Sequence, residues 1–165
     1  PENLEKYMKL FVESQLEIQD KTAPLLNKMK DKMSVRINSL KAVNATTRYE
    51  LSTRLEGMPK HKKVLHGDYN PTNVVIDKDG KYYILDWSHA TQGNASADAA
   101  TTYLLLTLQD PKMAEMYMNM FCDMSDTAKQ YVQRWLPIVA ASRLTKAIPE
   151  EKDLLEKWLD VVEYE

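Results

Sequence analysis

His66-Gly67-Asp68-Tyr69-Asn70-Pro71-Thr72-Asn73 runs straight into Val74-Val75-Ile76, Asp77-Lys78-Asp79-Gly80, Lys81-Tyr82-Tyr83-Ile84-Leu85 and Asp86-Trp87, and over this stretch the apolar period of the chain changes. Val74-Val75-Ile76 is β-branched, and Tyr82 to Leu85 is aromatic and aliphatic; both are strand compositions. Asp77-Lys78-Asp79-Gly80 between them is a turn signal, and Asp79 and Gly80 both tolerate positive φ, which suits a tight hairpin. Ahead of the hairpin, Val64-Leu65 is another short apolar run. Residues 66–73 are then a loop between strand-like segments, with Gly67 allowing an unusual backbone and Pro71 stiffening the turn. A hairpin placed here brings Asn73, before its first strand, near Asp86, after its second.

Outward from the hairpin the chain reads as helix on both sides. Leu4, Tyr7, Met8, Phe11 and Val12 recur at helical spacing and predict one apolar face. Leu25, Leu26, Met29, Met33, Ile37 and Leu40 predict a second helix with Pro24 near its first turn. A third runs from an Asn44 cap through Leu51 and Leu55 to Gly57, with Pro59 just beyond. The lysines between these apolar positions read as a solvated face. From about residue 94 the pattern is helical again. Ala97 to Leu108 is alanine- and leucine-rich, and Pro111 opens a helix carrying Met113, Met116, Tyr117 and Met120. Tyr131, Trp135, Ile138 and Ser142 trace another, kinked at Pro137. Pro149-Glu150-Glu151 opens a last helix, whose buried face is Leu154, Leu155, Trp158, Leu159 and Val162. The expected architecture is mainly α (α+β): residues 1–165 as one domain, a helical bundle with a small β-hairpin set into it.

Composition narrows the classes. At 165 residues, 44% apolar and 28% charged, the chain is an ordinary globular domain. Its net charge of −2, with no long run of one sign, argues against a nucleic-acid or anionic-membrane surface. The apolar stretch around Tyr103–Leu108 is too short to span a bilayer. One cysteine, Cys122, allows neither an internal disulfide nor a cysteine metal cluster, which fits a reducing, cytoplasmic setting.

The chemistry sits in the loop and hairpin. Phosphoryl transfer asks a protein mainly to position groups and neutralise charge. Asp68 is placed to orient an attacking hydroxyl and accept its proton, while Asn73 and Asp86 offer a neutral and an anionic oxygen suited to a hard cation such as magnesium. His66 reads as a hydrogen-bonding brace of the loop. A zinc site of His66, Asp68 and His89 has suitable ligands, but the loop reading already explains two of the three. Met113, Met116, Met118, Met120 and Met124, with Trp135 and Trp158, read as core before pocket, and Cys122 as an inert buried thiol.

His66-Gly67-Asp68 with Asn73 five residues after the aspartate, then Ile84-Leu85-Asp86-Trp87, resembles the aminoglycoside phosphotransferase and choline kinase family. Those enzymes are distant relatives of the protein kinases and share the histidine-x-aspartate-x4-asparagine loop. The resemblance is close over residues 64–100. It implies a protein-kinase-like C-terminal lobe whose hairpin carries the catalytic and metal-binding loops. It implies Asp68 as catalytic base with His66 bracing its loop, and Asn73 and Asp86 as ligands of Mg2+ beneath ATP or GTP. Gly67 and Asp98 would be structural support, Asp98 as a helix cap or loop brace. The acceptor would be a small-molecule hydroxyl on an aminoglycoside, an amino alcohol such as choline, homoserine or a sugar. A cationic acceptor needs an acidic pocket, for which the late helices offer Glu115, Asp123, Asp126, Glu150, Glu151, Asp153 and Glu156.

Some features depart from the family pattern. Trp87 replaces the phenylalanine-glycine of protein kinases, Ser88 stands where many relatives carry an acid, and Gly93-Asn94-Ala95-Ser96-Ala97-Asp98 keeps only its glycine and final aspartate. The four glycines, at 57, 67, 80 and 93, form no glycine-rich nucleotide loop, and no strand-borne lysine precedes residue 60. The N-terminal nucleotide-binding lobe is therefore expected to be missing from this chain, which alone should be inactive. Two other classes remain. A non-catalytic, pseudokinase-like binding module has no chemical reason to keep Asp68, Asn73 and Asp86 together. A metal-dependent hydrolase is disfavoured by Asn73 and the shortage of further ligands.

Overall fold

Side-chain caps start three of the helices, those that open after Asn44, Asn94 and Asp110. In the computed structural model, which describes residues 2–161 and residue 164, the helices are α1 (Glu2–Gln19), α2 (Met29–Ser39), α3 (Ala45–Gly57), α4 (Ala95–Gln109), α5 (Pro111–Ser125), α6 (Lys129–Gln133), α7 (Leu136–Leu144) and α8 (Lys152–Lys157). Asn44 caps α3 by accepting from the Thr47 amide at 2.8 Å, satisfying one of the orphan donors of the first turn. Asn94 and Asp110 cap α4 and α5 in the same way through the Ser96 and Lys112 amides. Pro111 occupies the start of α5, where its missing N–H costs nothing.

The strands are short: β1 (Lys63–Leu65), β2 (Val74–Ile76), β3 (Tyr82–Ile84) and β4 (Thr91–Gly93). They form two antiparallel pairs. β2 and β3 make the expected hairpin, with Val74 opposite Ile84 and Ile76 opposite Tyr82. β1 pairs with β4, Leu65 opposite Thr91, although Thr91-Gln92-Gly93 carries no strand pattern of its own. The turn also differs from a two-residue Asp-Gly hairpin. Gly80 alone takes positive φ there (+81°), and the Asp77 side chain accepts from the amides of Asp79 and Lys81, both at 2.9 Å. The carboxylate thus closes a wider loop from inside.

Four helix expectations change. Residues 3–7 of α1 are exposed, and its buried stripe begins at Met8, so Leu4 and Tyr7 lie outside the core. α2 begins at Met29, not at Pro24; Leu25 is fully exposed in the preceding turn. Tyr131 and Ser142 belong to separate helices: Pro137 sits in the first turn of α7, because a proline cannot accept a place in the interior of a continuous hydrogen-bonded helix. Pro149–Glu151 forms a 3₁₀ turn that leads into α8. Leu155, Trp158 and Leu159 are buried as expected, while Val162 lies outside the described residues.

α7 and α4 form the centre. Nearly every residue of α7 is buried, and α4 buries Ala97, Ala99, Ala100, Leu104 and Leu106 between α5 and α7. α2 and α3 cover one flank and α1 packs on α5 and β1. Small alanines on α4 allow the close approach that this arrangement needs. Trp135, Met118 and Cys122 are core; Met113, Met116 and Met120 pack at its edge, and Met124 is exposed. Burial pushes the Cys122 thiol up, consistent with an unreactive side chain.

Candidate active site

The loop after β1 is held by a buried polar frame. Gly67 takes φ +87°, and its amide donates to Asp98 Oδ1 at 3.0 Å; the His66 amide donates to Asp98 Oδ2 at 3.3 Å. Asp98 therefore braces the loop, while Asn94 caps the helix that carries it. Burial pushes the Asp98 carboxyl up, against the opposing pull of the Gly67 amide and the nearby His66. Gln15 of α1 donates to Asp98 Oδ2 and to Thr102 Oγ1, and Thr102 donates onward to the Tyr69 carbonyl at 2.7 Å. The Tyr117 hydroxyl donates to Gln15 Oε1. Gln15 and Thr102 carry no motif in the sequence, and Tyr117 reads there only as one of the face residues of the Pro111 helix. One signal was available: Gln15 falls on the same helical stripe as Met8, Phe11 and Val12, where a buried amide needs partners.

His66 is fully buried and stands between the loop and the hairpin. Its Nδ1 accepts from the Asp68 amide at 3.2 Å, which leaves Nε2 to donate to the Leu85 carbonyl at 2.8 Å. One ring thus ties Asp68 to the residue before Asp86. Its face packs against Trp87, ring centroids 4.9 Å apart, and Tyr69 packs beneath with its ring stacked on Phe11 at 4.5 Å. Leu85 is bonded in turn to Asn73: its amide donates to the Asn73 carbonyl at 2.8 Å.

Asp68 is half-buried, and its carboxylate is fixed on both sides. Asn70 Nδ2 donates to Oδ1 at 3.0 Å and Asn73 Nδ2 to Oδ2 at 3.1 Å. Asn73 also reaches the Asp68 carbonyl, at 2.8 Å. Asp86 is exposed, in the left-handed region at φ +53°. Hydrogen bonds from the Ser88 hydroxyl, at 2.6 Å, and the Ser88 amide hold its carboxyl below the usual range. Among the described residues no group of three or more histidine, cysteine, aspartate or glutamate side chains is arranged to hold a metal ion, so His66, Asp68 and His89 make no zinc cage.

Asp68 also faces a cleft between α2, α4 and α7. Gly67, Asp68 and His89 form one wall and Lys32, Arg36 and Lys146 another. Asn73 and Asp86 do not line it. Lys32 belongs by sequence to the solvated face of its helix; the packing of α2 on α7 turns it here instead. None of the acids noted on the late helices lines the cleft: Glu115 pairs with Lys129, Glu156 with Lys152, and Glu151 with Arg143, which does line it.

No helix among the described residues is long and apolar enough to cross a membrane. No curated protein matches the chain. Solved structures that share its fold include LicA in complex with AMP (TM-score 0.63, 14% identity) and choline kinase LicA from Streptococcus pneumoniae (TM-score 0.63, 12% identity). The match covers 98% and 97% of this chain but 65% of each of those chains. The fold is thus the protein-kinase-like one expected, mainly helical with small antiparallel sheets. The sequence profile of the phosphotransferase enzyme family (APH) matches residues 15–149, a span that takes in Gln15, the braced loop, the hairpin, Asp98 and the cationic wall. On that match, and with the loop built as described, the chain belongs to the phosphotransferase enzyme family.

Proposed function

We propose that this chain carries the acceptor and metal side of a kinase that moves the γ-phosphate of ATP or GTP to a hydroxyl of a small molecule. The carrying observation is the position of Asp68: the residue lines the cleft, and its carboxylate is bonded to Asn73, which stands outside the cleft beside the Asp86 strand end. An acceptor in the cleft and phosphates on the Asn73–Asp86 side would meet at Asp68. The acceptor oxygen attacks the γ-phosphorus, the bond to the β–γ bridging oxygen breaks, and the hydroxyl proton passes to Asp68. His66 acts through position, by fixing the Asp68 amide and the Leu85 carbonyl.

The donor set fits magnesium. Asn73 spends its Nδ2 on Asp68, which leaves Oδ1 for a cation, and Asp86 offers the carboxylate oxygen that Ser88 does not engage. Magnesium takes few protein ligands and completes its shell with water and phosphate oxygens. Bound there, it would neutralise phosphate charge as the transferred group moves.

By this reading residues 1–165 form a C-terminal lobe, and the grip on the α- and β-phosphates comes from elsewhere in the protein. The 65% coverage of the similar structures supports this, as do the half-exposed Val75, Tyr83, Leu85 and Trp87 along the hairpin, a surface suited to an adenine ring or a second lobe. A bare binding module has no use for a carboxylate fixed between two asparagines.

The test is phosphate transfer by the whole protein from ATP to a panel of hydroxyl compounds, with Asp68→Asn beside wild type. Loss of a general base predicts a fall of about 100- to 10,000-fold in turnover with nucleotide affinity retained. Undiminished turnover in Asp68→Asn rules out the assignment.

A further inference from the structure

The cleft beside Asp68 has a charge pattern that the proposed chemistry does not use. Lys32 and Arg36 stand one turn apart on α2, and Lys146 follows α7, so two separate elements turn three cations into one space beside His89. Among the described residues Lys32 and Lys146 have no acidic partner, and Arg36 donates only to Ser142 Oγ, at 2.9 Å. Arg143, which also lines the cleft, is already taken by Glu151. Among the described residues the carboxylates lining the cleft are those of Asp68 and the buried Asp98, both bonded to the loop after β1.

Three cations against one accessible carboxylate, that of Asp68, leave a net repulsion, and the groups register it. Lys32 is pushed down first by burial and then by Arg36 and Lys146; His89 is pushed down by burial, then by Lys32 and Lys146. An anion entering between them removes that repulsion and meets donors from two walls. The Asn73–Asp86 side, where the nucleotide phosphates would sit, is not part of the cleft. The cavity of about 80 Å³ also limits size, since one water needs roughly 10–15 Å³ on the same measure.

We infer that the cleft binds a small hydroxyl compound carrying a carboxylate or phosphate, held by Lys32, Arg36 and Lys146 with its hydroxyl toward Asp68. This rests on the phosphotransferase reading for the fate of that hydroxyl, but not for the binding of the anion. A choline-like or aminoglycoside cation would face three positive side chains and is excluded by the same physics that admits the anion.

Calorimetric titration of the whole protein with D-glycerate, glycerol 3-phosphate and choline tests this, with the Lys32→Ala/Lys146→Ala double variant alongside. The same three compounds are assayed for ATP consumption. At least one anion should bind, and the double variant should weaken it by about tenfold or more; choline should not bind. The carboxylate and phosphate arms separate the two sources of negative charge. Tighter binding of choline than of either anion, no binding of either anion, or equal anion affinity in variant and wild type overturns the inference. Anion binding that the variant loses, without ATP consumption, keeps the anionic cleft and removes the kinase reading. Phosphorylation of choline alone, abolished by Asp68→Asn, does the reverse.

Discussion

Gly67→Ala tests the frame on which the site depends. Gly67 sits at φ +87°, where an L side chain costs about 1–2 kcal/mol. Sterics add to this. A Cβ there would overlap the His89 carbonyl oxygen and lie 2.9 Å from the His89 Cβ and 3.0 Å from its carbonyl carbon. The obstacle is mostly backbone, so it cannot rotate aside. Moving residue 67 away pulls its amide off Asp98, and weakening a hydrogen bond to a buried carboxylate costs about 1–3 kcal/mol. Gly80 supplies the control, because its φ of +81° is nearly the same and nothing lies within 4 Å of a Cβ there. Urea unfolding followed by circular dichroism should show Gly80→Ala losing about 1–2 kcal/mol and Gly67→Ala about 3–5 kcal/mol. Since a domain is stable by only about 5–15 kcal/mol, the second loss is large. Equal losses at the two positions would refute the claim that His89 and Asp98 clamp the loop.

Four further outcomes are expected. Arg143 grips Glu151 through two nitrogens at 2.6–3.1 Å with both side chains mostly buried, so Glu151→Gln should cost about 2 kcal/mol, seen as a lower melting temperature. Glu156→Gln, which releases the exposed Lys152 at 3.8 Å, should cost well under ~1 kcal/mol. His89 is held below its ordinary value by burial and by Lys32 and Lys146. The unfolded chain therefore binds the extra proton first as pH falls below about 6.5, and stability drops from there until folded His89 also protonates. His89→Gln should remove that part of the decline, checked by comparing urea midpoints at pH 7 and pH 5.5. Ser88→Ala should raise the Asp86 carboxyl toward the usual range in an NMR titration, because the Ser88 hydroxyl is the leading cause of its depression. An unchanged titration would show that the hydroxyl bond is not made in solution.

Local signals in the chain were legible where the chemistry is local. Asn44 and Gly57 bound α3, and Pro111 opens α5, because caps and proline act within one turn. The strand composition of residues 74–76 and 82–84 identified the hairpin, which brings the Leu85 amide onto the Asn73 carbonyl. Errors arose where neighbours decide. Leu4 and Leu25 have apolar side chains but nothing packed over them, and Thr91–Gly93 becomes a strand only because Lys63–Leu65 lies beside it.

By itself, then, the sequence determined the Asn44 cap, the Pro111 helix start, the hairpin and the candidate set of His66, Gly67, Asp68, Asn73, Asp86 and Asp98, since each depends on residues close in the chain. Only the tertiary structure decided that Gln15, Thr102 and Tyr117 complete the frame around Asp98, across separations of up to 102 residues. The same is true of Lys32, Arg36 and Lys146. In sequence they are scattered basic residues on polar faces; in the fold, α2 packs on α7 and turns them into one cleft with Asp68. Charge acts through space, and the spatial neighbours of a lysine are set by helix packing, which no local pattern records.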